Sequence, residues 1–213
     1  MLETETDSQS SQTILLCMDM DRTVIPNGAQ IESPAARPAL RRLAERPEIR
    51  IAYITGRRME LIQSAVKEYE LPEPDFAAGD VGSTVYEVKE GNSEWIEMPE
   101  WLAMLEDSWE GKNGDDIRRL WSPMAGVDLQ EPEAQGRFKV SFYTPDQLDR
   151  DELLNQVRDQ LRAMGVEANL IWSVDEAAGS SRCSTERVAP SQKHSPDGSR
   201  SMAGYSCGWL PSA

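Results

Sequence analysis

Two apolar runs of strand length set the frame for this chain. Residues 13–18 and 49–54 are each too short for a buried helix and suited to a buried strand. Each run stops at a polar segment: Asp19-Met20-Asp21-Arg22-Thr23 after the first, Thr55-Gly56-Arg57 after the second. Helical sequence follows each. The first helix is expected over about residues 34–46, with Ser33 as its N-cap and Pro34 at its first position. The second is expected over about 59–69, stopped near Pro72, with a third strand at 75–78. Strands alternating with helices of this length dictate an α/β fold, a parallel sheet with helices on its faces. Ligands in such sheets bind at the carboxyl ends of the strands, where Asp19 and Thr55 both fall.

The residue types at those ends carry chemistry. Two carboxylates two positions apart, just past a strand and before the Pro26-Asn27-Gly28 turn, can converge on one point. The first can attack phosphorus and hold a divalent cation; the second can donate and then withdraw a proton. The Thr23 hydroxyl can brace the loop. The same five residues also suit a capped turn with surface carboxylates. At the second end, the Thr55 hydroxyl and nearby amides can bind a phosphoryl group. Gly56 lets the backbone approach closely, and the following helix offers its N-terminus. Thr55 serves equally well as the N-cap of that helix.

Composition removes most competing chemistries. The only histidine is His194, and the three cysteines are Cys17, Cys183 and Cys207. A His/Cys zinc site, a Ser-His-Asp triad and a disulfide framework all lack their residues. Catalysis falls to carboxylates, hydroxyls, lysine and a cation. A net charge of −15 argues against nucleic acid or an anionic membrane as partner. No apolar run is long enough to span a bilayer. Residues 1–12 are polar and acidic, which reads as a disordered lead-in rather than a signal peptide, and a cytoplasmic location is expected.

The texture changes from about Trp95. Trp95, Trp101, Trp109 and Trp121 fall in one stretch of helical character and read as core or interface residues. Residues 138–143 alternate apolar and polar, 148–164 form an amphipathic helix ending at Gly165, and 166–173 read as a strand. Strand, helix and strand with one polar sheet face describe a small α+β unit. Residues 177–213 are rich in Ser, Pro, Gly and Arg, without helical or strand period, and are expected to be an irregular tail.

The apolar strand followed by Asp19-Met20-Asp21-Arg22-Thr23 resembles the first motif of the haloacid dehalogenase superfamily of phosphohydrolases, and Thr55-Gly56-Arg57 resembles its second. The closest likeness is to sucrose-phosphate phosphatase and its relatives. It is carried by those motifs, residues 79–86, Phe138-Lys139-Val140-Ser141-Phe142-Tyr143 and residues 170–176, and covers roughly 13–176. The resemblance implies a doubly wound parallel-sheet core, incomplete here, with an inserted α+β cap. The expected organisation is a lead at 1–12, core at 13–86, cap at 87–176 and tail at 177–213. It implies a magnesium-dependent phosphomonoesterase acting on a sugar phosphate such as sucrose 6-phosphate, with mannosyl-3-phosphoglycerate as the nearest alternative. Asp19 would be the nucleophile and Asp21 the acid/base. Mg2+ would be held by the Asp19 side chain and the Asp21 carbonyl. Thr23, Thr55, Gly56 and Arg57 would serve the phosphoryl group. Lys139 would reach the sugar or its phosphate, unless it is simply a solvated strand lysine.

Gly79-Asp80 resembles the superfamily's Gly-Asp cation motif. However, the downstream positions Ser83 and Thr84 are poor ligands, and its place before the cap favours a hinge. The lysine and the acidic strand that the family supplies after its cap are not visible in residues 177–213. The break near Gly179 suggests a truncation or a shifted reading frame. A back-translation of residues 179–186 read one base later gives Gly-Leu-Leu-Asp-Val-Leu-Pro, a plausible strand. A catalytically inactive remnant or a non-catalytic binding module is therefore the competing expectation.

Overall fold

The structure, a computed structural model, describes residues 13–28, 31–89, 94–121, 127–144, 149–174 and 184–190. The lead-in at 1–12, the acidic pair Asp175-Glu176 and the tail residues 177–183 and 191–213 lie outside the described residues. The chain divides into two compact units, Met1–Leu102 and Ala103–Ala213, each considered by itself.

The first unit runs β1 (Ile14–Asp19), α1 (Ala36–Ala44), β2 (Ile49–Ile54), α2 (Met59–Glu68), β3 (Phe76–Gly79), a 3-10 turn (Asp80–Gly82), β4 (Thr84–Lys89) and β5 (Glu94–Glu97). Its sheet order is β1-β2-β3-β4-β5. The first three strands are parallel, and β4 and β5 fold back antiparallel. This is the expected α/β architecture. The sheet continues past Tyr86 through β5, so the unit ends later than the boundary read from the sequence.

Side-chain alternation explains the packing. Ile49, Ile51 and Tyr53 lie on one face of β2 and cluster with Met18, Met20 and Ile25, with Leu40 and Ala44 of α1, and with Ile62, Ala65 and Val66 of α2. Both helices therefore cover the same face, as right-handed crossovers require when strand order advances in one direction. Met20, Tyr53 and Ile62 are each 0% exposed. Burying such an apolar side chain contributes about 1.5–3 kcal/mol. Helix α1 begins at Ala36, two residues later than expected, and Ser33 is not its N-cap. The Ser33 carbonyl instead accepts the Ala36 amide in a preceding turn (3.0 Å).

In the second unit, α3 (Pro99–Ser108), which begins within the first, is followed by α4 (Gly114–Trp121), β6 (Asp128–Leu129), β7 (Val140–Thr144), α5 (Arg150–Ala163), β8 (Ala168–Val174) and β9 (Ser184–Pro190). The sheet order is β6-β7-β9-β8, antiparallel throughout. Trp109 meets Phe138 edge-on (5.3 Å between ring centroids) and Trp121 meets Phe142 (4.8 Å), with both tryptophans buried. Asp149 caps α5, accepting the amides of Asp151 and Glu152, and Gly165 closes it at φ +73°.

Two expectations need correction. Trp95 is in strand β5, not in a helical stretch. Residues 184–190, expected to be irregular, form a strand between β7 and β8. Ser-Thr-Glu-Arg-Val-Ala-Pro has no apolar alternation, so its strand character comes from backbone pairing to two neighbours, which local pattern does not reveal.

Candidate active site

The site grows out of the parallel register of β1 and β2. Asp19 lies opposite Ile54, so both chains leave the sheet side by side and Thr55 follows directly beside the acidic loop. That loop is folded tightly around one carbonyl. The amides of Thr23, Val24 and Ile25 all donate to the Met20 oxygen (3.3, 3.1 and 2.8 Å), and the Arg22 amide donates to the Ile25 oxygen (3.0 Å). Met20 and Ile25 are fully buried and anchor the loop in the core. The acids on either side of Met20 are consequently held at the surface, partly exposed. Arg22 takes a left-handed conformation (φ 61°) to make the turn.

Each carboxylate has its own brace. The Thr23 hydroxyl donates to Asp19 Oδ2 (3.0 Å). Asp21 is held more heavily. Arg57 Nη2 donates to Oδ1 (2.6 Å), and Nε reaches Oδ1 and Oδ2 at 3.1 and 3.0 Å. Asn27 Nδ2 donates to Oδ1 (2.5 Å), and the Thr55 hydroxyl is a further donor. The Arg57 hydrogen bonds hold the Asp21 carboxyl below the usual carboxylate range; partial burial opposes this, and the Arg57 charge, Asn27 and Thr55 reinforce it. The same pairing raises Arg57. Thr55 itself is buried: its amide donates to the Ala78 carbonyl (2.9 Å), and its Oγ1 accepts the Arg57 amide (3.3 Å).

The structure thus brings together Asp19, Asp21, Thr23, Thr55, Gly56 and Arg57 at adjoining strand ends. The Arg57 guanidinium is paired with Asp21. Lys139 lies in the second unit, just before β7, where Gly136 and Lys139 form a bridge; it is 5% exposed, so it is not a solvated strand lysine. Asn27 was missed by sequence reading, which took Pro26-Asn27-Gly28 only as a turn. Its side chain closes the loop twice, its oxygen accepting the Arg22 amide (2.8 Å) and its nitrogen donating to Asp21. An asparagine in a turn just after two acids was the available signal.

Among the described residues, no three or more His, Cys, Asp or Glu side chains cluster as metal ligands. The oxygens that would hold the implied cation, the Asp19 carboxylate and the Asp21 carbonyl, are hard. They suit Mg2+, which takes one or two carboxylates and completes its shell with waters and phosphate oxygens. No helix among the described residues is long and apolar enough to cross a membrane.

Comparison with known proteins bears on the family and the fold. Residues 12–178 match the sucrose-6F-phosphate phosphohydrolase family. A putative HAD-like hydrolase of Nitrosococcus oceani is 48% identical over 167 residues, spanning 78% of this chain and 44% of that protein. The chain therefore spans less than half the length of that relative. Among solved structures, the sucrose-phosphatase of Synechocystis, in complex with sucrose and phosphate, superposes with a TM-score of 0.61 at 20% identity, over 84% of this chain and 64% of that one. A haloacid dehalogenase-like hydrolase of Bacillus subtilis gives a TM-score of 0.52 at 18% identity, over 84% and 65%.

Proposed function

The chain belongs to the sucrose-6F-phosphate phosphohydrolase family of haloacid dehalogenase-like hydrolases, and we propose that its paired acids hydrolyse a sugar phosphomonoester. The observation that carries this reading is the convergence of Asp19, Asp21 and Thr55 on the ends of two adjacent parallel strands. The family match supports sucrose 6-phosphate or a close relative as substrate; mannosyl-3-phosphoglycerate is the alternative.

The division of labour is the one the family resemblance implies. Asp19 attacks phosphorus, and the bond to the sugar oxygen breaks as an aspartyl-phosphate forms. Asp21, ionised in the free site, takes up a proton from solvent as Arg57 turns to the substrate, and gives that proton to the departing sugar oxygen. It then accepts one from the water that releases inorganic phosphate and restores Asp19. Thr55 and the Gly56 amide hold phosphoryl oxygens. Arg57 is shared between Asp21 and the incoming dianion, so substrate arrival loosens the clamp on the acid that must move a proton. The Asp19 side chain and the Asp21 carbonyl would hold Mg2+, which would neutralise charge on the transferring group.

A second reading rests on the donor set. With no cluster of three acids among the described residues, the chain binds phosphate without turning it over. Phosphate release from a panel including sucrose 6-phosphate and mannosyl-3-phosphoglycerate, with Mg2+, separates the two. Turnover that disappears in Asp19→Asn supports the hydrolase. Binding of inorganic phosphate without any release supports the second reading, and neither binding nor release removes both.

A further inference from the structure

The Asp80–Gly82 turn is the most strained segment of the first unit. Three successive residues are left-handed: Asp80 (φ 50°), Val81 (φ 60°) and Gly82 (φ 87°). Glycine adopts this conformation readily, but a β-branched valine does not. Such outliers persist only where the surroundings over-determine them.

Three hydrogen bonds do so here. The Asp80 amide donates to the Arg57 carbonyl (2.8 Å), and the Val81 amide donates to the Thr55 carbonyl (3.3 Å). From the other side, Trp101 Nε1 donates to the Gly82 carbonyl (3.0 Å). The first two act on the loop that carries Thr55 and Arg57. In a planar trans peptide, the carbonyl and the following N–H point in opposite directions. Fixing the Thr55 oxygen on Val81 therefore turns the Gly56 N–H away from the strained turn, and fixing the Arg57 oxygen on Asp80 does the same for the Arg58 N–H. Gly79 makes the close approach possible: a Cβ there would lie 2.8 Å from the Arg57 oxygen.

We propose that Gly79, Asp80 and Val81 are positioning residues for the phosphoryl site: the left-handed turn pins the Thr55 and Arg57 carbonyls and thereby sets the orientation of the Gly56 and Arg58 amides. This rests on the phosphatase reading given above. The role is one of geometry, since no side chain of the turn touches the reacting atoms in this scheme.

The test uses the full chain, with inorganic phosphate as probe in the presence of Mg2+. Gly79→Ala forces the Arg57 carbonyl away without altering any side chain of the site. Gly111→Ala is the control for a Gly→Ala change that meets no neighbour: Gly111, unlike the extended Gly79, is left-handed (φ 74°), its added Cβ would meet nothing within 4 Å, and it lies in the second unit. Gly79→Ala is expected to weaken phosphate binding about tenfold, given that a misplacement of 1 Å at a reacting centre can cost about a hundredfold. Gly111→Ala is expected to lower thermal stability and leave phosphate binding unchanged. Equal phosphate affinity in Gly79→Ala and wild type overturns this proposal alone, as does an equal loss in both variants. A wild-type chain that takes up no phosphate overturns the phosphatase reading and this proposal with it. Should Gly79→Ala fail to fold, amide hydrogen exchange of the wild type decides. Asp80 and Val81 amides protected against exchange support the pins, and exchange at the unprotected rate overturns them.

Discussion

Arg57 grips both carboxylate oxygens of Asp21, with Nη2 2.6 Å from Oδ1 and Nε 3.0 Å from Oδ2. The pair joins the first acidic loop to the second, across neighbouring strand ends. It keeps Asp21 ionised in the free site and holds the Arg57 guanidinium beside the acidic loop.

One consequence is a pH-dependent contribution to stability. The folded carboxyl of Asp21 titrates below its ordinary value of 3.8. The unfolded state therefore binds the proton more readily. The contribution is fully present above that ordinary value and is lost as pH falls through the lowered one. Arg57→Gln is expected to reduce this loss, so the melting temperatures of variant and wild type converge as pH falls below about 4. Thermal unfolding between neutral pH and pH 3 checks it; a constant gap across that range counts against the pair as the source. The pair is partly exposed, so the effect is modest.

The two acids are expected to fail differently. Asp19→Asn removes the attacking oxygen and should abolish phosphate release. Asp21→Asn leaves the nucleophile in place but removes proton transfer, which contributes about 10²–10⁴-fold. Asp21→Asn should therefore retain slow turnover, and more of it for substrates with acidic leaving groups, which need no proton. Phosphate release from an aryl phosphate compared with an alkyl phosphate reads the difference. Equal losses on both substrates would remove Asp21 from the acid role.

The sequence made the site's backbone frame legible because each strand carried its own signal. The run at 49–54 matches β2 residue for residue, and parallel pairing then places Asp19 beside Ile54 without further information. Thr55 and Asp21 could be read as neighbours for the same reason. The partners of Arg57 and Asn27 could not, because a guanidinium near a phosphate motif and an asparagine in a turn each have several satisfying partners, and only the folded loop selects one. Strand β9 was illegible because its pairing is decided by the backbone of β7 and β8. Trp95 was misassigned because tryptophan fits a helix spacing and a strand pair equally well. Its tilted ring contact with Tyr86 (6.2 Å between centroids, 53° between planes) belongs to the strand pair.

Helix α5 offers a clean test of capping in the second unit. Asp149 Oδ1 accepts the amides of Asp151 (2.9 Å) and Glu152 (3.0 Å), and those donors otherwise have no partner within the helix. Asp149→Ala should destabilise the chain by about 1 kcal/mol and Asp149→Ser by much less. Chemical denaturation measures both. A loss equal for alanine and serine would mean that the charge, and not the cap, is what matters.

Lys139 separates a substrate contact from a structural lysine. It is 5% exposed, adjoining Phe138 and Val140, which are 2% and 0% exposed. A lysine at that depth is retained at an energetic penalty unless it is hydrogen-bonded or paired. Lys139→Met keeps the length and apolar stem and removes the charge. If Lys139 meets the sugar or its phosphate, the substitution should raise KM about tenfold, equivalent to about 1.4 kcal/mol of lost binding, while the melting temperature holds or rises. If it serves only the fold, the melting temperature should fall and KM should stay. Steady-state kinetics on a sugar phosphate together with thermal unfolding of the same preparation distinguishes these outcomes. A fall in stability with unchanged KM would remove Lys139 from the binding site.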